Sequence, residues 1–175
     1  AVIQFKVEGQ IIKRHPEYNM EDRLHLTRIN FEKGTVTIKG KEYPLTDKKL
    51  PTVDPKDPLK LTKEEEELIH NLCMSFKHSV NLQRHIRFVY SHGAMYKCCN
   101  SNLLYHGCIP MKENGDFDEI KFNGIIYSGK RMLDYIEDAV KMAYFLPDDD
   151  TSKEWYKDLM WYLWCGPKSP VYGKD

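Results

Sequence analysis

The strongest constraint on the fold is that every β-like segment of this sequence is short and ends at a turn signal. The Asn123-Gly124 pair between two apolar segments is typical of the type I′ turn of a β-hairpin. Residues 94–99 and 102–106 predict a second hairpin, joined through Asn100-Ser101-Asn102. Apolar alternation with glycine turns predicts a small meander over residues 29–45. The β structure is therefore expected to consist of small hairpins.

Longer segments with apolar residues at helical spacing flank these hairpins. Thr62 and Glu65 form a capping box at the start of one helix, and Asn19 is predicted to cap another. Gly93 is the expected end of a third. Helical spacing is found in residues 1–27, 62–76, 79–92, 132–143 and 155–164. The predicted class is α+β, a helix-rich chain with short β-hairpins.

The balance of charge argues against partners that are bound through bulk electrostatics. Lys plus Arg and Asp plus Glu both number 26, so the formal net charge is zero, and neither nucleic acid nor a membrane is an expected partner. No apolar run approaches the roughly 20 residues that cross a bilayer, and no signal peptide pattern opens the chain. A cytoplasmic location is expected. The five cysteines include no C-x-x-C pair, which predicts free thiols.

His106 has the position that most favours chemistry. It follows a short apolar strand and precedes Gly107, so it lies where the strand gives way to a loop. Ligand sites in open α/β sheets lie at the carboxyl ends of strands, and a neutral imidazole is a good ligand for divalent transition metals. Gly107 would let the backbone turn sharply or approach a ligand closely. A hydrogen-bonded structural histidine is the alternative, and the local pattern leaves both interpretations open.

Long motifs run through essentially all of the chain. Those in its centre are Phe76-x-His78-Ser79-x-x-Leu82-x-Arg84-His85, Gly93-x-x-Tyr96 and Asn102-Leu103-Leu104-x-His106-Gly107-Cys108-Ile109-Pro110. Those near its ends are Ile3-Gln4-Phe5-Lys6, Ile11-Ile12-Lys13-Arg14 and Met160-Trp161-Tyr162-Leu163-Trp164-x-Gly166-x-x-Ser169-x-x-x-Gly173-Lys174. Together they resemble the class III, Firmicutes-type fructose-1,6-bisphosphatases. The chain departs from that pattern at Ala94 and Ser101, and neither change touches His106.

The resemblance implies an internal piece of an enzyme similar to the calcineurin-like metallophosphatases. Residues 1–60 would form a helix, a β-meander and a loop, and residues 61–175 would form part of the α/β phosphatase core. His106 would bind one of two divalent ions, with manganese expected. The implied reaction is hydrolysis of fructose 1,6-bisphosphate to fructose 6-phosphate and phosphate, the gluconeogenic step. A homo-oligomer is also expected.

Four basic residues are candidates for holding the substrate's phosphate. Arg84 and His85 lie in a family motif, and guanidinium suits phosphate well. The alternative interpretation is that both residues only occupy the polar side of a packed helix. Lys168 and Lys174 follow Trp164-Cys165-Gly166-Pro167, which looks like a segment of protein serine/threonine phosphatases that precedes a phosphate-holding basic residue. The aspartate of that segment is absent here.

Aromatic residues near the C-terminus allow two interpretations. Trp155, Trp161 and Trp164 could form a surface on which a sugar stacks, but aromatic side chains dominate core burial. Packing is therefore the expected role of the three tryptophans.

The resemblance also implies that no complete catalytic site lies in this chain. The family's upstream Asp-x-His, Gly-Asp-x-x-Asp-Arg and Asn-His-Asp motifs and its downstream Gly-His-Thr-Pro are missing. One histidine cannot hold two metal ions, so the chain alone is expected to be inactive. The alternative is a non-catalytic module of the same enzyme, used for subunit contact or regulation through the helical pairs at 62–92 and 130–164.

Overall fold

The chain folds as two units whose boundary in the sequence lies between Gln83 and Arg84. The computed structural model describes residues 1–172. The helices are α1 (Val2–Arg14), α2 (Lys63–His78), α3 (Val80–His92), α4 (Gly129–Phe145) and α5 (Lys153–Cys165). The strands are β1 (Ile29–Asn30), β2 (Thr35–Ile38), β3 (Lys41–Pro44), β4 (Tyr96–Cys99), β5 (Asn102–Tyr105), β6 (Glu119–Phe122) and β7 (Ile125–Ser128).

These elements confirm the predicted helix-rich α+β class with short hairpins. Each sheet is antiparallel, in the orders β1-β2-β3, β4-β5 and β6-β7. The prediction that residues 61–175 form part of the phosphatase core of a longer enzyme, with residues 1–60 preceding it, stays a prediction. Among residues 1–172, no helix combines the length and the apolar character that crossing a membrane requires.

In the first unit, α1 ends where Pro16 follows His15. Proline lacks the N–H that would continue the helix and disfavours helical backbone in the residue before it. The helix start predicted at Asn19 is wrong. Asn19 has a φ of 52° and closes the short 3-10 turn Pro16–Tyr18, and two further short 3-10 turns, Glu21–Arg23 and His25–Arg28, follow in place of a helix. Asparagine tolerates left-handed backbone, so the residue type that caps a helix start also ends a turn.

The first unit has its own small core. Leu26, Val53 and Leu59 are each at most 7% exposed. Partly buried apolar residues pack around them, namely Val2, Phe5, Leu24, Ile29, Phe31 and Leu50. This core joins α1, the loop after the meander and the turns between them, so the lysine- and proline-rich loop is held by apolar side chains.

A buried ion pair links α1 to the start of α2. The Lys6 ammonium lies 2.7 Å from a Glu65 carboxylate oxygen and also donates to the Thr52 carbonyl. The Thr62 N–H donates to Glu65 and the Glu65 N–H to the Thr62 hydroxyl, which confirms the predicted capping box. Burial alone would raise the pKa of Glu65, but the hydrogen bonds from Lys6 and Thr62 outweigh it and hold that pKa below its ordinary value.

The predicted apolar face of α2 forms but stays open. Leu68, Leu72 and Phe76 follow one another at four-residue spacing and are 48%, 52% and 62% exposed. The helical spacing was therefore predicted correctly, and about half or more of each of these side chains remains exposed.

The second unit has a core between α4, α5 and the β6-β7 hairpin. Met132 and Ile136 of α4, Leu159 of α5 and Phe122 of β6 are each at most 1% exposed. The Phe122 ring lies 5.7 Å from the ring of Tyr135 and 5.9 Å from that of Tyr162. Aromatic side chains from one strand and two helices thus hold this hairpin in place. Their contacts are of the offset and edge-to-face kinds that aromatic pairs favour.

The β4-β5 hairpin belongs to the same unit but does not enter that core. Leu103, Leu104 and Tyr105 of β5 are 46%, 55% and 49% exposed. Its attachment is at the start of β4, where the Met95 N–H donates to Glu137 and the Tyr96 hydroxyl to Asp134, both on α4. This exposed hairpin is the element that carries His106.

Candidate functional site

His106 follows directly after β5, and its side chain is exposed. The imidazole lies at one side of a groove of about 510 Å³. Helices α4 and α5 supply Val140, Met160, Leu163 and Trp164 to the same groove. The predicted position at the carboxyl end of a strand is thus found. Within residues 1–172, no hydrogen bond or ion pair holds the imidazole, and both interpretations of His106 stay predictions.

The backbone beside the imidazole is fixed by the segment that follows α5. A side chain at Gly107 would overlap the Pro170 carbonyl group, and the Cys108 N–H donates to that carbonyl oxygen at 2.9 Å. Gly107 is therefore required for close contact between two backbone segments. Its predicted role in turning the chain or approaching a ligand is not needed to explain its presence.

Ser169 holds the segment after α5 in place. Its side chain is fully buried, and the hydroxyl donates to the Leu163 carbonyl at 2.6 Å. The same oxygen accepts hydrogen bonds from the N–H groups of Val171 and Tyr172. Because this segment contacts the loop after His106, the buried Ser169 hydroxyl beyond the end of α5 helps to fix the backbone next to His106.

Lys168 forms a specific ion pair away from the groove. Its ammonium lies 3.0 Å from Asp118 and donates to the Glu119 carbonyl at 2.8 Å, next to the start of β6. The hydrogen bond from Lys168 holds the pKa of Asp118 below its ordinary value. In this structure Lys168 anchors the β6-β7 hairpin, and its predicted contact with phosphate stays a prediction.

The structure does not gather the three described phosphate candidates around His106. Arg84 and His85 are exposed near the start of α3, and neither they nor Lys168 line the His106 groove. Lys174 lies outside the described residues. The groove lining is mostly apolar, so within residues 1–172 the surroundings of His106 do not form a phosphate site.

Among the described residues, His106 is the one His, Cys, Asp or Glu that lines the groove. Within residues 1–172, no group of three His, Cys, Asp or Glu side chains converges in a way that could hold an ion. No disulfide bond joins the five cysteines, which all lie within residues 1–172. An imidazole can supply one ligand to a metal ion, and a complete site would need further ligands from outside residues 1–172.

Trp164 was not predicted to belong to the groove. It is 80% exposed, although packing was the expected role of the three tryptophans. Trp155 does pack, with its ring 6.4 Å from Phe122. On α5, Trp164 lies four residues after Met160 and directly after the buried Leu163. The helical period was therefore the one sequence signal that placed Trp164 on a different side of α5 from the buried residues.

Comparisons with known proteins agree with the motifs. The family model of the Firmicute fructose-1,6-bisphosphatases matches residues 1–175. The chain belongs to that family.

Relatives from three genera extend this result. The chain is 55% identical over 174 residues to a class 3 fructose-1,6-bisphosphatase of Clostridium novyi, covering 99% of this chain and 26% of the relative. A class 3 enzyme of Alkaliphilus metalliredigens is 52% identical, and one of Bacteroides fragilis 48%, each over all of this chain and about a quarter of its own length. The chain thus spans about a quarter of the curated relatives it matches. No solved structure matches the chain significantly.

Proposed function

We propose that this chain is a segment of a metal-dependent fructose-1,6-bisphosphatase and that His106 supplies one ligand to its divalent metal site. The observation that carries the proposal is the position of His106, exposed at the carboxyl end of β5 beside an open groove. Membership of the family supports the substrate, fructose 1,6-bisphosphate, and the release of phosphate. We also propose that the longer enzyme is cytoplasmic and assembles as a homo-oligomer.

The part that these residues play is to hold and orient the imidazole. Bound divalent ions, manganese by this proposal, would neutralise charge on the phosphate and lower the pKa of a bound water. The backbone contact between Gly107 and Pro170 restricts the loop that carries His106. The ring has to be neutral to donate to a metal, and its exposure leaves it accessible.

Apart from bound metal ions, the positive charge that binds the substrate has to come from side chains outside the groove. Within residues 1–172 the groove lining has no lysine or arginine, whereas a bisphosphate requires cations or backbone N–H groups. Arg84 and His85 remain candidates because both are exposed and, within residues 1–172, neither is held in an ion pair. The 175-residue chain by itself is expected to show no phosphate release above background in a manganese-supplemented assay.

The decisive experiment replaces His106 in the longer enzyme. His106→Ala should lower bound manganese and turnover by about 100-fold or more, since even outer-shell changes cost 10–100-fold. Thermal stability should be unchanged, because the side chain is exposed. Metal content by mass spectrometry and phosphate release are measured together. His70→Ala, an exposed histidine of α2, is the matched control, and normal metal content in His106→Ala would refute the proposal.

A non-catalytic role in subunit contact remains the second candidate, and the open stripe of Leu68, Leu72 and Phe76 favours it. Leu72→Glu in the longer enzyme tests it by sedimentation. Dissociation of an oligomer with unchanged turnover per subunit would support the contact role, and an unchanged oligomer would reject it.

A further inference from the structure

Trp164 presents a large apolar surface that the described chain leaves in water. Its side chain is 80% exposed, whereas Leu163 and Cys165, its neighbours on α5, are 5% and 9% exposed. Tryptophan is a residue whose body is usually buried, so a largely exposed indole commonly marks a binding surface. This indole lines the same groove of about 510 Å³ as His106.

The backbone that carries the indole is firmly held. The Leu163 carbonyl, one residue before Trp164, accepts a hydrogen bond from the buried Ser169 hydroxyl at 2.6 Å. The Cys165 thiol, one residue after it, donates to the Trp161 carbonyl at 3.4 Å. The exposure of the indole is therefore not the result of a frayed helix end. An aromatic ring on a fixed backbone can bind a ligand at little cost in conformational entropy.

The rest of the groove suits an uncharged ring rather than a phosphate group. Apart from His106, every residue that lines it within residues 1–172 is apolar or aromatic, and Tyr172 supplies a second ring. Small-molecule sites typically enclose about 300–1,000 Å³ and combine such a lining with a few polar groups. Sugars stack the C–H groups of their rings on aromatic faces, because the contact removes apolar surface of both partners from water.

We propose that Trp164 is a specificity-determining residue, on whose indole the sugar ring of the substrate stacks while the phosphate lies beside His106. The inference rests on the proposed function, which places the phosphate next to that imidazole. Fructose 1,6-bisphosphate carries its charge at two ends, with an uncharged ring between them. A groove that is apolar except for one imidazole matches this distribution, because the ring can lie on the indole and both phosphates outside the apolar lining.

A segment of the longer polypeptide is the alternative cover for the indole. Such a segment would bury Trp164 permanently, and the ring would then contribute to stability instead of substrate affinity. A sugar-binding surface has to stay accessible in the enzyme without substrate. The two occupants therefore differ in what the loss of the indole changes, which is the melting temperature for a polypeptide segment and the KM for a sugar.

Fluorine NMR of the longer enzyme labelled with 5-fluorotryptophan detects sugar binding without turnover. The resonance of Trp164, assigned from the Trp164→Phe variant, should shift when fructose 6-phosphate is added. The resonance of Trp155, whose ring packs 6.4 Å from that of Phe122, should stay in place. Inorganic phosphate at the same concentration should have a much smaller effect, since it has no ring to stack. Equal shifts of the Trp164 resonance with the two ligands, or none with fructose 6-phosphate, would overturn the inference.

Steady-state kinetics of the longer enzyme measure the contribution of the indole. Trp164→Ala should raise the KM for fructose 1,6-bisphosphate about tenfold and change kcat less than about threefold, because a contact made equally in the ground and transition states acts on KM. Trp164→Phe keeps a ring and should restore the KM to within about threefold. Phe145→Ala removes a ring that is 55% exposed and does not line the groove, so it is the matched control and should keep the normal KM.

The outcomes separate this inference from the proposed function on which it rests. Failure of the proposed function would show as normal manganese content in His106→Ala. If His106→Ala loses its metal but Trp164→Ala keeps a KM within about twofold of the unsubstituted enzyme, the inference is overturned. A melting temperature of Trp164→Ala that falls by about 5 °C or more would also overturn it, because the indole would then be buried by the longer polypeptide.

Discussion

The two hairpins of the second unit have the same size and turn geometry but opposite burial. Each pairs two four-residue strands through two residues with positive φ, Asn100 and Ser101 at 50° and 62°, and Asn123 and Gly124 at 47° and 80°. In β6-β7 the core face contains Ile120, Phe122 and Tyr127, none more than 8% exposed. In β4-β5 the corresponding face is largely in solvent.

The difference separates what a turn specifies from what packing specifies. Both turns adopt left-handed backbone that matches the twist of an antiparallel pair, and this requires only local chemistry. Burial requires a second surface, which α4 and α5 provide for β6-β7. For β4-β5 the described chain provides two hydrogen bonds and a contact of Lys130 with the Tyr96 ring, all at the start of β4. The four predictions below test this contrast in the 175-residue chain.

The largest expected effect comes from removing the aromatic ring at the centre of β6. Phe122→Ala should lower the free energy of unfolding by about 3–5 kcal/mol, because the ring is fully buried among Tyr135 and Tyr162. Leu103→Ala on the bare face of β5 should cost less than about 1 kcal/mol. Urea denaturation followed by circular dichroism measures both. Losses of similar size would mean that β4-β5 is packed in solution.

The next effect concerns the loop that follows β5. Gly107→Ala should cost about 1–3 kcal/mol, because its methyl group would overlap the Pro170 carbonyl and force one backbone segment to move. The neighbouring His106→Ala is the control, and it should leave the melting temperature unchanged. If Gly107→Ala were equally harmless, the contact that fixes the His106 loop would not exist in solution.

A smaller effect depends on pH. Hydrogen bonding from Lys168 lowers the pKa of Asp118 in the folded chain. The pair therefore stabilises the fold fully at pH values above about 3.9, the pKa of an unfolded Asp carboxyl. This stabilisation is lost as the pH falls through the lower pKa of the folded state. Lys168→Met should therefore cost roughly 0.5–1 kcal/mol at pH 7, a modest amount because the lysine is 42% exposed.

That cost should shrink as the pH is lowered toward 2, although the bond from Lys168 to the Glu119 carbonyl keeps part of it. Thermal melting at several pH values gives the profile. Lys97→Met in β4, where the lysine is exposed, is the matched control and should show no such pH dependence. A constant cost of Lys168→Met from pH 7 to pH 2 would contradict the assignment.

The smallest effect is expected from exchanging the residue types at the second positions of the turns in β4-β5 and β6-β7. Ser101→Gly should stabilise the chain by roughly 0.5–1 kcal/mol, because Ser101 has a φ of 62° that glycine adopts without strain. Gly124→Ser should cost a similar amount, since Gly124 has a φ of 80° with open space around it. Chemical denaturation resolves both. Effects of the same sign would show that the two turns differ in solution.

Features set by neighbouring residues were predicted well. The capping box of Thr62 and Glu65, the end of a helix near Gly93 and the turn at Asn123-Gly124 all occur where the sequence placed them. Each depends on hydrogen bonds or backbone angles within a few residues. Asn19 shows the limit of such reasoning, because an asparagine accepts both the cap of a helix and the left-handed end of a turn.

The candidate site was predicted only in part for a related reason. The place of His106 at a strand end follows from five consecutive residues. The pairing of Lys168 with Asp118 joins residues 50 positions apart, and no local pattern indicates it. Trp164 was expected to pack like Trp155, and its exposure depends on how α5 is oriented in the second unit.

The sequence by itself determined the helices, the two tight turns and the family, because these depend on short-range spacing and on long motifs of residue types. Only the tertiary structure decided which of two similar hairpins is buried, which lysine is held in an ion pair, and that Gly107 serves a contact with Pro170. Those outcomes depend on which distant surfaces meet, and the free energy of burial is gained only where two such surfaces come together.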